Sequence, residues 1–494
     1  MGVTRRVAVA APNAAAADAA AAIAGAGGNA VDAAIAASLV TMVNEVGIVS
    51  LSSGGFATVQ PAGGSAPVTV DGWMDMPGRR TADQPRIQPG QGTWDVETEY
   101  GGGVTITVGP GSVATHGAIA AFEETHRRWG SVPWRELVGP AIDVARGGFV
   151  LGSASRYYLQ YVRDSIFGWD EGSRTALHDP ETGLRDGSLV VPDLADTLEH
   201  VAEAGPRTMY EGDLARAISD DVLVRGGLLS RADLAGYEPV VRPSLRVEVG
   251  PWTLGTNPPP AVGGAVVAAM LRLMNGRGLD DRGHLVAVQR RVLGERLRVF
   301  DHSDDLARDA AAFLDLIDRD GLAVLESGST AHVSATDTDG NACAITVSSG
   351  YGSGMIAAGT GIWLNNCLGE PELNPRGLHG LEPGTRLLSN MAPTVGHDRD
   401  GASLAIGSPG ADRITTAIAQ VIAGFLSGLD LQAATDHPRL HLHRAGCPDE
   451  ELKVEHEPTM YFGGVGATLR DREGRLHAAA DPRREGATRI VTAQ

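Results

Sequence analysis

The sequence predicts an α+β fold, and three observations carry that reading. Ala-rich helical segments dominate the first forty or so residues. The middle of the chain alternates helical stretches with Gly and Pro punctuation. From residue 330 onward it turns to Val-, Ile- and Thr-rich runs separated by Gly turns.

Taken in order, residues 14–24 read as a helix ended by Gly25, Gly27 and Gly28, and residues 30–43 as a second helix of small residues suited to close packing. Ser52 to Val59 read as a loop entering a buried strand. Helical patterns follow over 113–147 and, with Gly breaks, over 192–237. Residues 258–274 give a Pro/Gly loop opening a helix. Strands are predicted at 330–337, 341–349 and 360–365, the first two joined by the Asp339-Gly340 turn. A last strand–loop–helix unit covers 402–428, with Gly407-Ser408-Pro409-Gly410 at its turn. Neither an internal repeat nor a low-complexity linker interrupts the chain.

The formal net charge of −19 over 494 residues argues against nucleic acid or an anionic membrane surface as a partner. Three cysteines, Cys343, Cys367 and Cys447, make no disulfide framework and fit no zinc spacing, so they read as reduced thiols. Arg5 and Arg6 precede an apolar stretch, but Asn13 and Asp18 and the lack of a Leu/Val-rich centre argue against a leader. The expectation is a cytoplasmic protein, mature from near residue 1. His437, His441 and His443 read as a polar strand edge, and no metal is expected. Gly101-Gly102-Gly103 fits neither phosphate-loop pattern, and no cofactor is expected.

Several segments, in order along nearly the whole chain, resemble the γ-glutamyltransferase family. They are GAGGNAVDAAIAASL (25–39), WGSVPWRELVGPAIDVARGGF (129–149), LAGY (234–237), YGSGMIAAGTGIWLNN (351–366), RLLSNMAPT (386–394), GSPGADRI (407–414) and DPR (481–483). The stretch from Ser329 to Asp337 is similar to the segment whose first Thr becomes a new N-terminus after autoproteolysis, and Thr330 holds that position. The resemblance implies a four-layer αββα sandwich of the N-terminal-nucleophile (Ntn) hydrolase type. It would be built from a large fragment, 1–329, and a small one, 330–494, associated as a heterodimer or as a dimer of heterodimers.

The chemistry suits Thr330. A hydroxyl is a weak nucleophile without an adjacent base. The freed α-amine of the same residue, with an ordinary pKa of about 7.7–8, can serve as one near neutrality. Self-cleavage is then an N-to-O acyl shift by the same hydroxyl.

By the resemblance, Ser348 stands where a family Thr bonds the nucleophile. Gly410 and Ala411 stand where a glycine pair offers an oxyanion hole, a role that survives with Ala if the backbone conformation permits. Ala331 replaces a second Thr. Glu370 matches an Asp that pairs with the substrate α-amine, and Ser389 and Asn390 match a Ser pair on its carboxylate. Trp73 takes the place of the Arg that clamps that carboxylate, a contact commonly worth about 2–5 kcal/mol. Arg79 and Arg80 nearby read as solvated loop charges.

The expected function is therefore a self-processed hydrolase acting on a small molecule other than glutathione. The reaction would be amide or C–C bond hydrolysis in secondary-metabolite or antibiotic biosynthesis. A γ-glutamyltransferase and an unprocessed binding protein are the alternatives.

Overall fold

Asn13 and Asn29 start the first two helices by accepting backbone N–H bonds into their side chains, and Asp32 returns the bond to Asn29 in a capping box. Every residue of the second helix, Ala30–Asn44, is buried. This explains its small-residue composition: it is covered on all sides, and only short side chains allow such close approach. These features come from a computed structural model describing all residues except 1–4, 80–89, 101–102, 186, 275, 301–302, 318–329, 446–447, 449 and 494. Arg80, Gly101, Gly102, Cys447 and the Ser329 side of the expected cleavage bond thus lie outside the described residues.

Seven strands, all antiparallel to their neighbours, form one sheet in the order Ala487–Thr492, Arg6–Ala11, Ala331–Asp337, Ala342–Ser348, Gly54–Gln60, Val68–Gly72 and Val240–Pro243. A second antiparallel sheet runs Leu476–Ala480, Gly466–Arg470, Ser403–Gly407, Thr394–Asp398, Trp252–Thr256 and Leu245–Val249. Ala331–Asp337 and Ala342–Ser348 of the first sheet pack on Ser403–Gly407 of the second. Helices Ala14–Gly25, Ala30–Asn44 and Ala118–Trp129 cover the first sheet; Gly263–Met274, Arg413–Leu426 and Leu431–Asp436 cover the other. This is the αββα order expected.

The two central strands are buried at every residue, because one face meets helices and the other meets the second sheet. They were visible in the sequence through their β-branched residues and the Asp339-Gly340 turn between them. The single helical stretch expected at 113–147 divides into Ala118–Trp129 and Trp134–Gly147. Gly130 ends the first, and Pro133, lacking an N–H, suits the start of the second. Of the strand expected at 360–365, only Ile362–Trp363 pairs, in a short hairpin with Ile356–Ala357. The apolar stretch after Arg5 is an interior strand. Cys343 and Cys367 are buried and free. Among the described residues, no helix is long and apolar enough to cross a membrane.

The DPR stretch is structural. Asp481 accepts from Arg439, Arg483 and the Val465 N–H, and Arg483 also pairs with Glu455, all deeply buried. Each charge is compensated, so the network holds the last strands in place without leaving an unpaired ion.

Candidate active site

Thr330 lies at the entrance to the central strand Ala331–Asp337 and is 3% exposed. One step beyond the last paired residues of that strand and its neighbour, Ala331 and Val347, stand Thr330 and Ser348. Ser348 is in turn paired with Gly54, and its Oγ accepts the Gly350 N–H at 3.0 Å. Gly350 has φ +66, and a Cβ there would lie 2.6 Å from Glu370 Oε1. The nucleophile candidate, Ser348 and Glu370 are thereby brought onto one edge of the first sheet.

The loop that carries Glu370 is braced by the paired asparagines. Asn365 donates to Ser52 and the Ala114 carbonyl and accepts from Ala114 and Cys367 N–H. Asn366 accepts the Tyr351 N–H at 2.6 Å and donates to the Thr107 carbonyl. Glu370 itself is buried, and its Oε1 has no hydrogen-bond partner. Burial pushes its pKa up to about 8, against a smaller downward pull from the Cys367 thiol, which favours a neutral carboxylic acid at pH 7.

Trp73 is 2% exposed. Its indole lies over Gly54, where a Cβ would come within 2.8 Å of the ring, and stacks on Phe56 at 6.0 Å. Its Nε1 donates to the Leu388 carbonyl at 2.7 Å, fixing the segment that continues into Ser389 and Asn390. That segment is tied on its far side by Val262 and Gly263 N–H groups to the Ser389 carbonyl. The guanidinium that touches Trp73, Arg386, reaches its carbonyl and also binds Asp71, Asp75 and Tyr237. Behind Leu388 lies a cavity of about 370 Å³, lined by Phe300, Leu306, Leu373, Leu381 and the Pro259-Pro260 pair, with arginines 242, 376 and 386 also on its wall.

The Gly410–Ala411 turn follows strand Ser403–Gly407 of the second sheet. Gly410 has φ +118, and a Cβ there would meet the Gly463 backbone at 2.9 Å. Ala411 has φ +70, a conformation that costs a non-glycine residue about 1–2 kcal/mol. The turn and the strand that follows Thr330 are coupled by His332, whose ring fills the space where a Gly407 Cβ would stand, 2.3 Å from its Cε1.

The ring's proton is assigned by the bonding network. Ser334 spends its one hydroxyl proton on the Gly466 carbonyl, so His332 Nε2 donates to Ser334 Oγ at 2.8 Å. Nδ1 then accepts from Thr346 at 2.8 Å. Burial drives the His332 pKa down to about 3, opposed weakly by a backbone bond at Ile345, which keeps the ring neutral.

Sequence reasoning gave no role to His332, although it lies inside the quoted motif, nor to Asp412. It also read His441 as a polar strand edge. His441 is instead buried, with Nε2 bonded to Asp412 Oδ2 at 2.8 Å. Asp412, His441 and His443 place ligand-type atoms within 4.8 Å of one another. Arg413 already holds Asp412 Oδ1 at 2.6 Å, so a divalent ion there would sit beside a buried guanidinium. The arrangement is better described as an ion-pair clamp. The signal for it was the charged pair Asp412-Arg413 at an otherwise apolar strand–helix junction.

The gamma-glutamyltranspeptidase family profile matches residues 16–491. A glutathione hydrolase proenzyme of Pseudomonas aeruginosa is 30% identical, covering 98% of this chain and 94% of its own length. An acylase ACY 1 proenzyme of Pseudomonas sp. strain V22 is 28% identical, covering 93% and 89%. Among solved structures, cephalosporin acylase from Bacillus halodurans aligns with a TM-score of 0.76 at 22% identity, over 98% of this chain and 96% of that one. LmbA2991T421A aligns with a TM-score of 0.77 at 20% identity, over 99% and 98%. The structural likenesses speak to the fold, which is that of the Ntn hydrolases.

Proposed function

The chain belongs to the gamma-glutamyltranspeptidase family, and on that footing we propose a self-processed N-terminal-threonine hydrolase whose substrate is a small molecule other than glutathione. Attack of Thr330 Oγ on the carbonyl of the preceding residue moves the acyl group from N to O. Hydrolysis of that ester frees the α-amine and divides the chain into 1–329 and 330–494. In turnover the α-amine takes the Thr330 hydroxyl proton as Oγ adds to the substrate carbonyl. The oxyanion is received by N–H groups of the Gly410–Ala411 turn. The proton passes to the leaving group, and water, deprotonated by the same amine, releases the acid and restores Thr330.

One observation carries the substrate reading: the position of the family's carboxylate-clamping Arg is filled by a buried Trp73 locked to Leu388. Arg386, spent on Asp71, Asp75 and Tyr237, offers no substitute clamp. The cavity behind Leu388, apolar where Phe300, Leu306, Leu373 and Leu381 line it and carrying arginines elsewhere on its wall, supports an acyl group with hydrocarbon bulk, and Glu370 supports an amine or imine partner. We infer hydrolysis of an amide or C–C bond of this kind in secondary-metabolite biosynthesis. A cytoplasmic location is compatible with the free thiols Cys343 and Cys367.

The test pairs two measurements. Denaturing electrophoresis of the purified protein is expected to give two bands that divide at Thr330. Turnover of γ-glutamyl-p-nitroanilide by the processed enzyme is then expected to fall well below that of apolar acyl-p-nitroanilides. Robust γ-glutamyl turnover would return the protein to the transferase reading, and an active protein that stays in one piece would remove the mechanism.

A further inference from the structure

We propose that Asp412 and His441 are positioning residues that hold Ala411 in its left-handed conformation and so keep the N–H groups of the Gly410–Ala411 turn aligned for oxyanion binding. This rests on the reading of that turn as the oxyanion hole and deepens it. Where the family pattern has a glycine pair, this chain has Ala411, whose Cβ disfavours φ +70. A strained residue persists only where its surroundings over-determine it. Here the next side chain in sequence, Asp412, is a buried acid bonded through both of its oxygens.

Asp412 is 5% exposed and bonded through both oxygens, to Arg413 Nη1 at 2.6 Å and to His441 Nε2 at 2.8 Å. Each partner is itself anchored. Arg413 Nε donates to the Tyr461 carbonyl at 3.0 Å, and its guanidinium lies 4.7 Å from the Tyr461 ring centre. His441 Nδ1 meets Thr416 Oγ1 at 3.1 Å. The His441 strand is pinned to two helices by Gln420 and Gln289, which bond the Leu440 and Leu442 backbone.

Burial alone would raise the Asp412 pKa, but Arg413 and His441 outweigh it and hold the carboxyl below the usual carboxylate range, so the clamp stays ionised. Immediately before it, the Ala411 carbonyl accepts the Ile414 N–H and the Gly410 carbonyl accepts the Arg413 N–H. Rotating Ala411 out of its left-handed conformation would therefore have to drag a buried carboxylate off two cationic or hydrogen-bonding partners.

A rescue experiment separates positioning from plain structural support. Acylation of the full, self-processed protein by p-nitrophenyl acetate is followed as p-nitrophenol release per processed chain counted from the two gel bands, after subtraction of the release given by an equal mass of the uncleaved Thr330→Ala protein. His441→Leu is expected to slow Thr330-dependent acylation about 10–100-fold, less than the ~10²–10³ of losing an oxyanion donor outright. Introduced into the Ala411→Gly background, where the left-handed conformation needs no clamp, the same change is expected to cost less than about threefold. Equal losses in both backgrounds, or no loss in the parent, overturn the clamp. Asp412→Asn, run through the same cycle, decides the matter if His441→Leu does not fold. A parent no faster than Thr330→Ala overturns the nucleophile reading and the clamp with it, an outcome distinct from equal losses in a Thr330-dependent reaction.

Discussion

Glu370 is a buried carboxyl whose Oε1 has no hydrogen-bond partner and whose pKa is raised to about 8 from 4.5 by burial. Folding therefore tightens its hold on a proton. The associated stability is fully present below about pH 4.5 and is lost progressively as pH rises through about 8, because the folded state must then ionise a group that the unfolded chain ionises freely. Gln keeps the shape and cannot ionise. In Glu370→Gln the slope disappears, so the thermal midpoint of the variant is expected to gain on that of the parent between about pH 5 and about pH 9. The corresponding change in unfolding free energy between the two proteins should be on the order of a few kcal/mol. A constant gap between the two proteins would mean that the carboxyl is ionised in place. Adding an amine-bearing substrate should reverse the trend for the parent, since an ammonium partner favours the carboxylate.

At the scale of elements, Trp73 ends a strand, covers Gly54 of the neighbouring one, and holds the Leu388–Asn390 segment through a single 2.7 Å bond. Trp73→Ala is expected to cost about 3–5 kcal/mol through the cavity it leaves. Trp73→Phe keeps the stack on Phe56 but strands the Leu388 carbonyl, for about 1–3 kcal/mol. Urea unfolding checks both, and a change in substrate affinity with unchanged stability would instead make Trp73 a surface that meets substrate.

This element also marks the limit of sequence reading. The substitution of Trp for Arg was visible, but that the indole faces inward and braces a loop was not. The inward turn depends on Gly54, a residue nineteen positions earlier, having no side chain. His332 was hidden for a similar reason: beside Ser334 on its own strand, Thr346, Gly407 and Gly466 come from three other strands, and only the register of both sheets unites them. By contrast, the helices at Ala14–Gly25 and Ala30–Asn44 and the strands flanking Asp339-Gly340 are specified by local caps, period and turn chemistry, and their boundaries were legible to within a residue.

For the whole molecule, the expected consequence of the proposed cleavage at Thr330 follows from strand order. The two central strands after the nucleophile, Ala331–Asp337 and Ala342–Ser348, lie between Arg6–Ala11 and Gly54–Gln60, which belong to the other fragment. The second sheet is shared as well, since Trp252–Thr256 pairs with Thr394–Asp398. Strands such as Leu245–Val249 and Ala487–Thr492 escaped sequence reading because their alternation is short and partly polar, yet they complete these shared sheets. Separating the fragments would strip hydrogen bonds from both sheets and expose the apolar core that both supply, where Ile35 and Leu39 share a cluster with Val333 and Ile345. Cutting the chain therefore leaves the core intact. The processed protein is expected to elute from a sizing column as one species containing both fragments, and to part only in denaturant. Residues 330–494 expressed alone lack the partners of both central strands and are expected to be insoluble or unfolded by circular dichroism. Fragments that elute separately under native conditions would contradict the shared-sheet arrangement, because no covalent link is needed where each piece supplies the other's neighbouring strands.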